Sequence, residues 1–330
     1  MREFFRELFH ALEDGQPAML VSVLASSGST PRGAGAMMAV FPDGHSMGTI
    51  GGGNVEFEAQ RRSAELLRSG KNDRRSFRFV QGDDGGSGMV CGGDVTVHFQ
   101  YLPAGDGTAV SVLRRLMELT GENAGVWLAR RLQSDDVAEM RALSTADHVN
   151  PELLALMKER PVLTEDGWFS IPVARPGRVY IFGGGHVSRE LVPAIARVGF
   201  RPVVYDDRPE CADPALFPQA EEIIRGGFEE LTGRLTVTRD DYVVIMTRGH
   251  QADYEVLSRT LRSGARYIGC IGSKKKLALC RERLLATGFS AEEYAAVHAP
   301  IGLDIGAETP AEIAVAVTAE LIAVRAGKLE

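Results

Sequence analysis

This 330-residue chain is poor in cysteine, in basic blocks and in uninterrupted apolar sequence, and each shortage removes a class of protein. Its four cysteines, Cys91, Cys211, Cys270 and Cys280, are scattered with no closely spaced pair. That spacing excludes a disulfide framework or a four-cysteine zinc knuckle and suits a reducing cytoplasm. No run approaches the roughly 18 apolar residues needed to span a membrane. The first ten residues, Met1 to His10, carry charges throughout and lack the apolar centre of a signal peptide. A cytoplasmic location is therefore expected. Lys and Arg number 37 against 44 Asp and Glu, a net charge of −7 with no basic block, which argues against nucleic acid as a partner. There is no G-x-S-x-G elbow, no P-loop and no H-E-x-x-H pair.

What is present describes a globular chain long enough for two domains, with 44% hydrophobic and 25% charged residues. Residues 2–14 read as a helix, 18–25 as a strand, and 37–41 with 46–50 as a hairpin around Pro42-Asp-Gly-His45. Gly51-Gly-Gly53 then leads into a helix over 55–67. Strands follow at 77–81, 95–101, 125–132 and 167–173, with helices at 110–121 and 153–158. Pro172 and Pro176 bracket a linker. Beyond it, strands at 179–182, 202–205, 221–224, 242–246 and 267–271 alternate with helices near 187–198, 252–263 and 276–286. A last helix opens at Thr309-Pro-Ala-Glu312, a capping box with proline at its first position. The expected architecture is α/β: an N-terminal α+β domain over 1–173, its motifs within 1–102, and a C-terminal Rossmann-like parallel-sheet domain over 174–330.

The most telling stretch is Val179-Tyr-Ile-Phe-Gly183-Gly184-Gly185-His186-Val-Ser188: a strand, a glycine turn and a helix start. Such a turn offers free N–H groups and a partial positive charge to phosphate. Asp206 lies 21 residues past Gly185, where a ribose-binding acid is expected. Ser188 replaces the third glycine of G-x-G-x-x-G, and serine is small enough for close helix–strand packing. Ligands of open α/β sheets bind at the carboxyl ends of the strands. Arg208, Arg248, His250, Ser273 and Lys274 follow later strands and become candidate contacts there. Blander readings stand beside these: Asp206-Asp207-Arg208 as a surface turn with its own ion pair, His250 as a cap, Lys274 to Lys276 as a solvated helix start. In the first domain, Gly51, Gly52, Gly53 and Glu56 form a second glycine–helix junction. Cys91, flanked by Gly92 and Gly93, is an approachable thiol and a soft ligand for a soft metal.

Taken together, these motifs make the sequence resemble the XdhC/CoxI family, accessory proteins for molybdenum hydroxylases. The resemblance rests on Gly48-Thr-Ile-Gly-Gly-Gly-Asn-Val-Glu56, Cys91-Gly-Gly93, Phe182-Gly-Gly-Gly-His-Val-Ser188, Asp206-Asp-Arg208, Arg248-Gly-His250, Ile271-Gly-Ser-Lys274 and His298-Ala-Pro-Ile-Gly-Leu-Asp-Ile-Gly306. It covers nearly the whole chain, in family order, except 103–175. It implies a chaperone, not a catalyst, that binds molybdenum cofactor (molybdopterin or its dinucleotide form), supports its sulfuration and inserts it into a xanthine dehydrogenase-like apoenzyme. Implied partners are that apoenzyme and a cysteine desulfurase. Cys91 becomes a candidate molybdenum ligand or sulfur relay. The implied site is a cleft joining Gly51–Glu56, Cys91–Gly93 and the carboxyl edge of the Rossmann sheet, and a homodimer fits a cleft open on one side. Such proteins are readily mislabelled as xanthine dehydrogenase, but each [2Fe–2S] cluster takes four cysteines, so four in all cannot supply that enzyme's pair of clusters. The rival expectation is an NAD(P)-dependent oxidoreductase with NAD(P) in the Rossmann turn.

Overall fold

An apolar stripe at Phe4, Phe5, Leu8, Phe9 and Leu12, all buried, makes the first helix amphipathic: α1, Arg2–Glu13. In the computed structural model, which describes residues 1–28, 32–79, 93–147 and 150–329, two units separate at Arg175 and Pro176. The first continues with β1 (Ala18–Gly28), β2 (Met37–Val40), β3 (Ser46–Thr49), α2 (Gly53–Ser69), β4 (Asp73–Phe79) and β5 (Gly93–Leu102). Its strands form an antiparallel sheet in the order β3-β2-β1-β5-β4. β1 is central and buried on both faces over its first seven residues, which is why it reads as an unbroken apolar run. On one face Met19, Val21 and Val23 meet Val55, Ala59 and Leu66 of α2. On the other, Leu20 and Leu24 meet α1 and α3 (Gly107–Gly121), a helix capped by the Asp106 carboxylate.

A second antiparallel sheet completes this unit: β6 (Val126–Gln133), β7 (Asp136–Ser144), β8 (Val162–Leu163) and β9 (Trp168–Ala174), in the order β7-β6-β9-β8, with α4 (Pro151–Leu154) before β8. Sequence reading missed β7, an edge strand whose charged residues leave little apolar alternation. The helix expected over 153–158 starts two residues earlier and is shorter, Pro151–Leu154, where Asn150 caps it and Pro151 starts it.

The second unit contains β10 (Val179–Phe182), α5 (His186–Arg197), β11 (Pro202–Asp206), β12 (Glu222–Arg225), α6 (Leu231–Arg234), β13 (Tyr242–Ile245), α7 (His250–Thr260), β14 (Tyr267–Cys270), α8 (Lys274–Ala286), α9 (Ala291–Ala295) and α10 (Pro310–Arg325). All five strands are parallel, in the order β12-β11-β10-β13-β14. Val179, Ile181, Val204 and Val244 pack against α5 and α10, while Phe182, Val203, Val243 and Ile245 pack against α7 and α8. This is the doubly wound arrangement expected from the alternation. Strand order reverses at β10, so the crevice between β10 and β13 is the switch point where such sheets take ligands. Among the described residues, no helix is long and apolar enough to cross a membrane.

Candidate functional site

The three glycines after β10 do three different things. Gly183 has φ 108°, and a Cβ there would collide with the Met246 carbonyl oxygen. A Cβ on Gly184 would strike the carbonyl of Cys211. A Cβ on Gly185 would meet no atom within 4 Å. The chain's own packing therefore requires the first two glycines, and only the third leaves room for something outside the protein. Gly185 is also the N-cap of α5 and provides no side-chain cap, so the first-turn N–H groups are open to an acceptor. Ser188 is buried and its hydroxyl donates to the Gly183 carbonyl, closing the turn. That role explains serine in place of the third glycine and takes Ser188 away from ligand contact. His186 is exposed at the first helical position.

Asp206 is turned into the protein. It is 1% exposed; one oxygen accepts from Gly184 N (2.7 Å) and the Arg208 guanidinium (2.8 Å), the other from Arg208 N and Nε (both 2.9 Å). Burial alone would raise its pKa, but these donors outweigh it and hold the carboxylate below the ordinary range. The same pairing drives the Arg208 guanidinium pKa upward. The structure thus realises the turn-with-ion-pair reading, as a brace inside the glycine turn. Serving a ribose would require Asp206 to release bonds that shape the turn. The acid left facing outward is Asp207, 3.4 Å from the guanidinium of exposed Arg248.

Across the switch point, α7 repeats the pattern of α5. Its N-cap is Gly249, again without a side-chain cap, and a Cβ there would also meet nothing within 4 Å. His250 is exposed in its first turn. Behind it, Thr247 Oγ1 donates to Asp253 (2.5 Å), and Lys276 Nζ lies 2.6 Å from the other Asp253 oxygen and 3.3 Å from the Thr247 carbonyl. Burial raises the pKa of Asp253 despite Lys276 and Thr247. By contrast, α8 is closed by the Ser273 hydroxyl on Lys276 N, while Lys274 projects into solvent. Beside the expected contacts Ser273 and Lys274, the residue that joins the loop cluster is Lys276, two positions past Lys274. Only the Ser273 cap, three residues before it, marked that position.

In the first unit, Gly51, Gly52 and Gly53 all have positive φ. Glu56 reaches back over them: one carboxylate oxygen accepts from Thr49 Oγ1 (2.5 Å), Gly52 N (3.0 Å) and Ile50 N (3.1 Å). Burial opposes its charge, yet these donors lower its pKa overall. The start of α2 thus holds its own anion, which works against the second anion contact expected there. Phe57, next along the helix, is 62% exposed. Gly93 begins β5, whereas Cys91 and Gly92 lie outside the described residues. Among the described residues, no group of three His, Cys, Asp or Glu side chains could hold a metal ion.

Residues 179–321 match the family described as the XdhC Rossmann domain, and residues 11–78 match the XdhC and CoxI family. The chain is 28% identical, over 98% of both chains, to a Bacillus subtilis (strain 168) protein described as a probable xanthine dehydrogenase subunit. It is 24% identical to the molybdenum cofactor insertion chaperone PaoD of Escherichia coli (strain K12), over 98% of this chain and 88% of PaoD. It matches E. coli YqeB at 26% identity over 97% of its own residues, yet spans only 46% of that longer protein. A Bacillus halodurans protein, whose crystal structure is described as a xanthine dehydrogenase, superposes with a TM-score of 0.81 at 26% identity, over 99% of this chain and 97% of that one.

Proposed function

Because the chain belongs to the XdhC and CoxI family, we propose that it is an accessory factor that binds molybdenum cofactor as cargo and delivers it to a xanthine dehydrogenase-like apoenzyme. The observation that carries the reading is the pair of glycine-capped helices, α5 and α7, on either side of the switch point. Each presents first-turn N–H groups that no side chain caps, at a glycine that leaves space. Molybdopterin ends in a phosphate and its dinucleotide form contains a pyrophosphate, and both are groups that such N-termini hold. Arg248, exposed beside them, adds a guanidinium suited to phosphate. The sealed Asp206 weighs against the rival NAD(P) oxidoreductase, which would use that acid on a ribose. With only four cysteines, three of them buried in the second unit, the chain is an accessory to such a hydroxylase and not the hydroxylase itself.

The finer parts of the reading belong to the cargo's chemistry. The chain holds the cofactor while its terminal oxo ligand is exchanged for sulfur supplied by a cysteine desulfurase, and Cys91 steadies the metal or relays the sulfur. The test is molybdenum and pterin content after anaerobic purification from a cofactor-producing host, expected near one of each per chain. Gly185→Ala should leave stability within about 0.5 kcal/mol and lower pterin retention. Gly183→Ala should cost about 3 kcal/mol through its backbone conformation and the Met246 collision. Neither metal nor pterin, in a preparation that binds NAD(P)H tightly, would replace this reading with the oxidoreductase. Normal loading and sulfuration in Cys91→Ala would remove Cys91 from it.

A further inference from the structure

Asp207 and Arg248 stand on opposite sides of the glycine turn and meet across it. β10 lies between β11 and β13 in the sheet. A contact from the loop after β11 to the loop after β13 therefore crosses the carboxyl end of β10, where Gly183 to Gly185 follow. That contact is the 3.4 Å pair of an Asp207 carboxylate oxygen with one nitrogen of the Arg248 guanidinium. Its two ends are fixed from within. Asp207 stands between Asp206 and Arg208, which hold each other through three hydrogen bonds and leave it the outward position of the turn. Arg248 follows Thr247, whose hydroxyl donates to buried Asp253 and whose carbonyl accepts from Lys276 Nζ at 3.3 Å. The pair itself is open to water: the Asp207 side chain is 36% and the Arg248 side chain 66% exposed. An ion pair so exposed gains little over its hydrated partners and is readily parted.

We propose that Asp207 is an internal competitor for the anion received by α5 and α7, and that it sets how tightly this anion is held. The inference rests on the reading of those two helix starts as a phosphate site. In the free chain the Asp207 carboxylate engages Arg248 across the end of β10. A phosphate or pyrophosphate at the first-turn N–H groups offers the same guanidinium more charge and more acceptor oxygens. It can take Arg248 in a two-point contact, where Asp207 meets it through one nitrogen. Asp207 is then left facing an anion of its own sign. Binding thus breaks one ion pair and creates one repulsion, so the affinity stays below what the two helix starts and Arg248 would give together. Release is favoured for the same reason, because it returns Arg248 to a partner already in place. That suits a chain whose cargo has to leave it. Asp207 therefore acts on affinity while Gly185, Gly249 and Arg248 make the contacts.

The experiment is calorimetric titration of the full chain with inorganic pyrophosphate at low ionic strength, beside the pterin retained after anaerobic purification. Asp207→Asn should bind pyrophosphate roughly three- to five-fold more tightly than the parent, with more pterin retained and an unchanged thermal midpoint. Arg248→Gln should bind it about ten-fold less tightly. In the Arg248→Gln background, Asp207→Asn should gain less than about 1.5-fold, because no guanidinium is left to free. Equal gains in the two backgrounds overturn the proposal, since Asp207 then acts only as a nearby charge. A parent that binds pyrophosphate, with Asp207→Asn binding it equally or less tightly, overturns it as well. Adenosine diphosphate is the third ligand: if Asp207→Asn weakens its binding and leaves pyrophosphate unchanged, Asp207 serves a ribose and is no competitor. A parent chain that takes up neither pyrophosphate nor pterin removes the phosphate site itself, and the competitor with it.

Discussion

The two units bury charge in opposite ways. In Met1–Arg175 the buried ionisable groups between the sheets are, among the described residues, basic. Arg130, wholly buried, donates to Gln100 Oε1 (3.0 Å) and Ser22 Oγ (2.8 Å) and lies over the Phe169 ring, with no carboxylate among its partners in the described residues. Burial brings its pKa down to about 10. His98 meets the Asp135 carbonyl through Nε2 at 2.8 Å, so that nitrogen carries the proton. Burial, aided by Arg130, pushes the His98 pKa down to about 4. In Pro176–Glu330 the buried groups are acids, each surrounded by donors. Asp206 braces the glycine turn and Asp253 the β13 loop. Asp241 ties Arg178 N and Thr238 N before β10 and β13. Glu320 accepts from Tyr267 Oη (2.6 Å), Gly302 N (2.7 Å) and His298 Nδ1 (3.0 Å). Neutral dipoles suffice where one sheet is pinned to another. Irregular loops at strand ends leave backbone N–H groups unpaired, and a carboxylate collects several of these at once.

That contrast breaks most visibly at Glu320. Replacing it with Ala leaves a buried tyrosine hydroxyl, a histidine and a backbone N–H without their acceptor, and should cost roughly 3–5 kcal/mol in denaturant unfolding. A loss under about 1 kcal/mol would mean the carboxylates of the second unit do not fasten its loops. Next in size is acid sensitivity. Because folding lowers the His98 pKa from 6.5 to about 4, the unfolded chain takes up a proton first as pH falls. Stability should drop progressively between those values, by up to about 3 kcal/mol, and level off below them. Asp206 and Glu320 are held below the ordinary carboxylate range, so their contribution is lost only as pH falls through that lower region. His98→Gln should flatten the stability profile between pH 6.5 and 4; an unchanged slope would assign it elsewhere. The smallest effect belongs to Arg130→Met, which swaps a buried cation with no counterion among the described residues for an apolar chain of similar length and should stay within about 1 kcal/mol of the parent. A much larger loss in thermal unfolding would mean the first unit depends on buried charge as the second does.

Much of the second unit was legible because parallel strands buried on both faces read as short apolar runs bounded by glycine, as 179–182 and 242–246 do. The first unit was legible where patterning was strong, as in α1 and β1, and failed at β7, where an edge strand alternates charge with partial burial. At the candidate site, Gly185 was found through its motif, but the motif could not distinguish the glycines required by Met246 and Cys211 from the one that faces open space. Asp206 stood at the expected spacing and yet turned inward, while Asp207, one residue on, faces Arg248. Glu56 matched a family motif and proved to be the resident anion of its own helix.

The sequence by itself determined the alternation of strands and helices in the second unit, the glycine turn at the first strand of a doubly wound sheet, and the family. These rest on local properties: the period of apolar residues, the backbone freedom of glycine, and caps a few residues from the helices they start. Only the tertiary structure decided which polar side chains are spent inside the protein and which are left for a ligand. Asp206 or Asp207, Lys274 or Lys276, Ser188 as a clasp and not a contact: each choice depends on a donor or acceptor delivered by another loop, and spacing along one strand carries no information about it.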